Sequence, residues 1–364
     1  MSDRSATSVR PDAAELILRH PGVARARRVP STSGDTELHV VPFSQPDDGS
    51  AEGTVAGLAQ INPHETRFLH DEIFLAKSYL QGGIVLREDA VVFDVGANIG
   101  MFSLFVAAVC PSARVYAFEP VRDVFEPLAM NVARHAVPAE LFEIGLSDRE
   151  QEVTFNFYPS ISIMSCVSGY ADLDNEVDLI KQYVDNAREH GPSGREEHLA
   201  QVEALVAKDF ELSERRCRLR PLSAVVDEAG VPRIDLLKID VQRAELDVLH
   251  GVDDRHWPLI QQVSMEVHDE AGTPTEGRVR KVRELLTARG FRLTVAEEDL
   301  LRGTGRYAVQ AIRPGYADDP RPVAAAAGTR LDLSAERLGA WLAERLPAEA
   351  RPVRVVVVDA LRAR

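Results

Sequence analysis

The stretch Val91–Phe102, VVFDVGANIGMF, runs an apolar segment into an acid, Asp94, and then into a turn carrying Gly96, Asn98 and Gly100. A strand that meets a helix through a glycine turn is where α/β proteins hold phosphates or nucleotides. The dinucleotide pattern needs a glycine two residues after the first, so that backbone can approach a pyrophosphate. Asn98 stands there instead. An acid at the mouth of the turn repels a pyrophosphate and suits a ligand with an ammonium group. Glu119, ending the next apolar run in YAFEP, is placed to accept two ribose hydroxyls. A cationic amino acid joined to a nucleoside is S-adenosylmethionine, and that is the expected ligand. The bland alternative is a tight turn that holds nothing.

A second group of chemically able residues lies further along. Asp240 closes IDLLKID, and Glu266 and His268 close QQVSMEVH. Methyl transfer to an alcohol needs the nucleophile in line with the methyl group, and a base or a metal to take up the cost of its proton. Glu266 and His268 are two apart and share one face if the strand runs through them. Three readings stay open: His268 as general base with Asp240 and Glu266 beside it; a divalent metal held by Asp240, Glu266 and His268; or hydrogen bonding within the sheet. Lys238, inside an apolar strand, is expected to pair with a buried acid.

These residues need a scaffold that brings strand ends together. VVFDV, RVYAFEP, ELFEIGLS and IDLLKID read as strands, with helices near 101–109 and 124–136 between them. EVTFNFYP, QQVSMEVH, FRLTVAE and RYAVQAIRP add further strands. Repeated βαβ units give a mostly parallel, doubly wound α/β sheet whose ligands lie beyond the carboxyl ends of its strands. LHDEIFLAKSYL reads as an amphipathic helix ahead of the first strand, and NPHETRFLHDEIF, with His64, Glu65 and His70, as a segment able to close over a cofactor. Residues 171–210 form a charged, helix-prone insertion, either a solvated hairpin or a lid that excludes water.

Composition removes several classes. The net charge of −15 argues against a backbone-tracking nucleic-acid role. Cys110, Cys166 and Cys217 are far apart, odd in number and lack metal-ligand spacing, which points to a reducing cytosol, and Cys166 and Cys217 are expected to be packing residues. No apolar signal core or membrane-length run occurs, so a cytoplasmic protein without a membrane partner is expected.

FDVGANIG, AFEP and LLKIDVQRAELDVLHGV resemble the FkbM-type S-adenosylmethionine-dependent methyltransferases, over about residues 58–314. The resemblance implies a class I methyltransferase, Rossmann-like sheet and, most often, methylation of an oxygen on a small molecule. It places Asp94, Gly96, Asn98 and Gly100 along the cofactor's amino-acid end, Glu119 on the ribose, Ser147 or Asp148 on adenine, and Asp240 close to the cofactor. The family usually reads Asp-Val-Glu-Gly-x-Glu after the fourth strand. Here the run is Asp240-Val241-Gln242-Arg243-Ala244-Glu245, which puts Gln242 and Arg243 forward as substrate contacts.

The two ends of the chain carry a different resemblance. HPGV and GDTELHVVP within residues 1–45, with LAERLP and VVVVDAL within 325–364, are similar to pieces of the small C-terminal subdomain of nonribosomal peptide synthetase adenylation domains. That implies an interrupted adenylation arrangement, with the two ends assembling one small α+β subdomain around the methyltransferase. The large adenylating subdomain is absent, so adenylation is not expected. The flanks could dock a carrier protein or a synthetase partner, or only stabilise the fold. The start at Met1 favours a freestanding descendant over an excised piece. The expected activity is methylation, most of all O-methylation, of a small-molecule or carrier-tethered intermediate in nonribosomal peptide or polyketide biosynthesis. A docking module with a relic cofactor site is the rival, and an oxidoreductase ranks third because of Asn98.

Overall fold

A computed structural model describes residues 57–170, 212–297 and 299–324, the strands at 23–30, 36–42 and 354–357, and scattered helical positions within 13–17, 181–189 and 339–343. In chain order the principal elements begin with β1 (Val23–Pro30), β2 (Thr36–Pro42) and α1 (Pro63–His70). The first βαβ units follow: β3 (Val91–Val95), α2 (Met101–Val109), β4 (Arg114–Phe118), α3 (Arg122–Arg134) and β5 (Ala139–Phe142). Then come β6 (Gly145–Leu146), β7 (Gln151–Phe157), β8 (Cys166–Val167), β9 (Ser213–Arg220) and α4 (Leu222–Ala229). The chain continues through β10 (Leu236–Ile239), α5 (Glu245–His250), β11 (Gln262–His268), α6 (Arg278–Ala288), β12 (Arg292–Ala296), β13 (Arg306–Ile312) and β14 (Arg354–Val357).

The central sheet has seven strands in the order β12-β13-β11-β10-β3-β4-β5. β11, β10, β3, β4 and β5 pair in parallel, and β13 runs antiparallel to both β11 and β12. The order reverses at β3, where the neighbours are β10 and β4, so a crevice opens there beyond the carboxyl ends. This is the class I methyltransferase sheet. Its strands are apolar on both sides because helices cover both faces: Val92 packs into the cluster with Phe102, Phe105 and Leu128, while Phe93 and Val95 pack into the one with Val225, Trp257 and Val282.

A second sheet, β6-β9-β7-β8, stands beside the crevice. The segment 140–147, read as one strand, is divided: β5 closes the central sheet and β6 pairs with β9. The helix expected over 69–80 is also different. α1 starts earlier, with Asn62 accepting from the His64 amide at 2.9 Å, and ends at His70, where a wider π-turn takes over through Leu75. The ends of the chain meet in a third sheet, with β1 antiparallel to β2 and β14 parallel to β2. Most of 171–210 lies outside the described residues. Where it is described, Asn186 donates to the Arg302 carbonyl at 2.7 Å and Val184 is buried. Among the described residues no helix is long and apolar enough to cross a membrane.

Candidate active site

A cavity of about 500 Å³ opens at the crevice. Its floor is the turn after β3. Gly96 has φ +74, and a Cβ there would lie 1.8 Å from the Asp240 carbonyl oxygen, so no side chain fits. The Gly96 and Ala97 amides both donate to the Phe118 carbonyl, at 3.1 and 2.9 Å, which ties the turn to the end of β4. Asn98, also left-handed at φ 48, donates its amide to Glu119 Oε2 at 3.2 Å and its side-chain NH₂ to Ser162 Oγ at 3.2 Å.

Glu119 follows β4 and faces the cavity. Its carboxylate accepts from the Asn98 amide and, at 2.9 Å, from the Val121 amide. A carboxylate offers about four lone-pair sites, so the remaining two suit a vicinal diol such as a ribose. Burial pushes the Glu119 carboxyl up to about 7, against the lowering effect of those two amides. Beyond it Leu146, Phe155, Cys166 and Leu219 supply an apolar slot. The chain therefore has a neutral glycine turn, a diol acceptor and an apolar end in line, which fits S-adenosylmethionine.

The wall over this half comes from α1. Glu65 receives hydrogen bonds from both the amide (2.6 Å) and the hydroxyl of Ser162, and Asn62 donates to the Ser160 carbonyl at 2.6 Å. Burial raises the Glu65 carboxyl despite these donors. His64 and Glu65 line the cavity; His70 lies behind, stacked on Phe74 at 5.1 Å.

Asp94 is not a cavity residue. It is fully buried, accepts from Ser103 Oγ at 2.7 Å and pairs with Lys238 Nζ at 3.1 Å. Lys238 in turn donates to the Gly96 carbonyl at 2.7 Å. Burial pulls the Lys238 ammonium down, but Asp94 and Asp240 outweigh it and the net shift is upward. Asp94 thus fastens the turn through Lys238 and Ser103. Gly100 likewise faces inward, where a Cβ would come within 2.7 Å of Leu128 Cδ1. Ser147 and Asp148 also stay outside the cavity, whose lining at this point is Gly145 and Leu146. Ser147 is buried and bonds Asp148 at 3.3 Å, and Asp148 pairs with Arg149 at 3.1 Å.

The other half of the cavity carries Tyr79, Asp240, Gln242, Glu266, Thr304 and Arg306. Tyr79 donates to Asp240 Oδ2 at 2.6 Å, and burial, reinforced by Asp240, raises the phenol well above its ordinary value. Burial also raises the Glu266 carboxyl, which Arg306 and His268 draw back and Asp240 and Glu245 push further. Arg306 Nε lies 3.9 Å from Glu266 Oε1.

Two expected contacts are displaced. Arg243 is buried, with its guanidinium in a two-pronged pair with Glu270 at 3.0 and 2.8 Å, away from the cavity. Its φ is +60, which accounts for the glycine usual at this position. His268 is fully buried, with Nδ1 2.5 Å from Glu245 Oε1 and Nε2 3.6 Å from Glu266 Oε1. It does not line the cavity, whereas Glu266 does. Asp240 and Glu266 face the cavity while His268 lies beneath them. Among the described residues no group of three or more His, Cys, Asp or Glu is arranged to hold a metal ion, Asp240, Glu266 and His268 included. Tyr79, Ser162 and Arg306 are site residues the motifs did not single out.

The sheet order, the glycine turn and the buried Glu119 define a class I methyltransferase site. The chain belongs to the FkbM methyltransferase family: the family model described as the methyltransferase FkbM domain matches residues 94–293. It is 37% identical over 258 residues to the 31-O-demethyl-FK506 methyltransferase FkbM of Streptomyces tacrolimicus, covering 71% of this chain and 94% of that one. It is 43% identical over 371 aligned positions to the AMB antimetabolite synthetase AmbE of Pseudomonas aeruginosa, covering 95% of this chain. The chain spans only 17% of that synthetase's length. Methyltransferase 1 of Beauveria bassiana is 30% identical over 237 residues, covering 65% of this chain and 84% of that one. The protein is an S-adenosylmethionine-dependent methyltransferase.

Proposed function

We propose that the chain methylates a hydroxyl oxygen of a small intermediate in natural-product assembly, the intermediate being free or carried on a carrier protein. The observation behind this is the pair of cavity-facing carboxylates, Asp240 and Glu266, in the same cavity as Glu119 and the glycine turn. Glu266, raised by burial, is suited to receive a hydroxyl proton. Asp240, held by Tyr79, orients the hydroxyl, with Gln242 beside it. Gly96, Asn98 and Glu119 hold the methyl donor, and Glu65 with Ser162 keeps water out. S-adenosylmethionine supplies an electrophilic methyl group on a sulfonium. The residues of the chain contribute alignment and a place for the proton.

Oxygen as the acceptor agrees with the name of the Streptomyces relative, and a synthetase setting with that of the Pseudomonas one. The flanking sheet of β1, β2 and β14 is then the remnant of an adenylation subdomain, and a surface for a carrier protein or synthetase partner. The test is incubation with isotope-labelled S-adenosylmethionine and matched hydroxyl-bearing aminoacyl substrates, free and as pantetheine thioesters. A labelled methyl ether in either pool supports the reading. Label on nitrogen or carbon alone refutes O-methylation.

A further inference from the structure

Beneath Glu266 lies a chain of buried groups that methyl transfer does not touch directly. Glu245, the first residue of α5, is fully buried. Its Oε2 pairs with Arg278 from α6, and its Oε1 accepts the Arg243 amide at 3.0 Å and faces His268 Nδ1 at 2.5 Å. A carboxylate so placed selects the imidazole form with its proton on Nδ1. Nε2 is then a bare acceptor. It is buried, has no hydrogen-bond partner among the described residues, and lies 3.6 Å from Glu266 Oε1. A buried acceptor left unsatisfied is costly, and catalytic hydrogen bonds often tighten only when substrate is bound.

We propose that Glu245, His268 and Glu266 form a buried proton relay in which His268 takes over from Glu266 the proton removed from the acceptor. This deepens, and rests on, the reading of Glu266 as the base for a hydroxyl acceptor. In the step, the acceptor O–H bond breaks and its proton passes to Glu266. The oxygen–methyl bond forms as the sulfur–methyl bond breaks, giving the methyl ether and S-adenosylhomocysteine. Glu266 hands the proton to His268 Nε2, and the imidazolium sits between the carboxylates of Glu245 and Glu266. The proton leaves by the same route after product release. The other charged groups around this line are Arg306 from β13, Asp240 after β10, Arg278 from α6, and Arg243 with Glu270. His268 is a positioning and relay residue, because it does not touch the acceptor.

The test is a long-range proton–nitrogen NMR correlation on the full chain with S-adenosylhomocysteine, His268 being assigned by its loss in His268→Gln. The relay requires a proton on Nδ1, a bare Nε2, and a shift of the Nε2 resonance in Glu266→Gln. A proton on Nε2, or a bare Nε2 that does not respond to Glu266→Gln, overturns it. If His268→Gln does not fold, the imidazole that responds to Glu245→Gln supplies the assignment. Unchanged methyl transfer in Glu266→Gln overturns the underlying base reading. Loss of transfer there, with parental transfer in a folded His268→Gln, overturns the relay alone. The relay predicts that His268→Gln slows turnover by about tenfold or more with S-adenosylhomocysteine affinity unchanged.

Discussion

The carbonyl oxygen of Asp240 occupies the place where a side chain on Gly96 would begin, 1.8 Å from an ideal Cβ. One contact therefore joins the glycine turn after β3 to Asp240 after β10, both in the cavity lining. Gly96→Ala forces these strand ends apart and also puts alanine at φ +74. Overpacking and left-handed strain together are expected to cost about 3 kcal/mol. The melting temperature should fall and S-adenosylhomocysteine binding should be lost, which differential scanning fluorimetry and calorimetry would read.

Glu119 gives a pH signature. Its folded carboxyl is pushed up to about 7, so below that pH it holds a proton and offers a diol fewer acceptors. Only the ionised form can receive both ribose hydroxyls. S-adenosylhomocysteine affinity should rise from about pH 6 to about pH 8 and then level, with proton release on binding below about pH 7. In Glu119→Gln the affinity should be about tenfold or more weaker and flat over that range. Calorimetry in buffers of different ionisation enthalpy measures both.

Arg243 and Glu270 should behave as a unit. Arg243→Gly relieves a left-handed backbone but strands a buried carboxylate, at an expected net cost of about 2 kcal/mol or more. Glu270→Gln alone should also destabilise. The double variant should recover much of the loss, with a coupling energy of about 1 kcal/mol or more in denaturant unfolding. Additive losses would show that the pair is not the reason for arginine at this position.

Tyr79→Phe removes the donor that fixes Asp240 Oδ2. Methyl transfer should slow by about tenfold while cofactor affinity holds, because Asp240 then loses its orientation. Initial rates of S-adenosylhomocysteine release, beside its binding constant, separate the two effects.

Much of the central sheet was legible because its strands are short apolar runs punctuated by turns. β3, β10 and β11 fall where their composition places them, and α2 spans the expected residues. β9 was not legible. SERRCRLR is rich in arginines, of which Arg215, Arg218 and Arg220 pair with Asp123, Glu150 and Glu228, and only Cys217 and Leu219 show its buried face. At the site, the motifs marked the turn whose Gly96 and Asn98 line the cavity but not which way each side chain points. Asp94 turns inward because Lys238 and Ser103, on other elements, hold it there. His268 shares a strand with Glu266, yet its Nδ1 partner Glu245 and the Arg278 paired with that carboxylate come from α5 and α6. Tyr79 lies 161 residues from Asp240, a pairing that no local pattern contains. Arg243 drew attention as a departure from the family pattern, but its φ and its partner are properties of the folded chain.

The measurement that bears most directly on the central claim is calorimetric titration of the parent chain and Glu119→Gln with S-adenosylhomocysteine, with NAD as a control ligand. The account predicts one micromolar S-adenosylhomocysteine site in the parent, clear weakening in Glu119→Gln, and no heat from NAD. Equal affinity in parent and variant, or binding of NAD in place of S-adenosylhomocysteine, would contradict it.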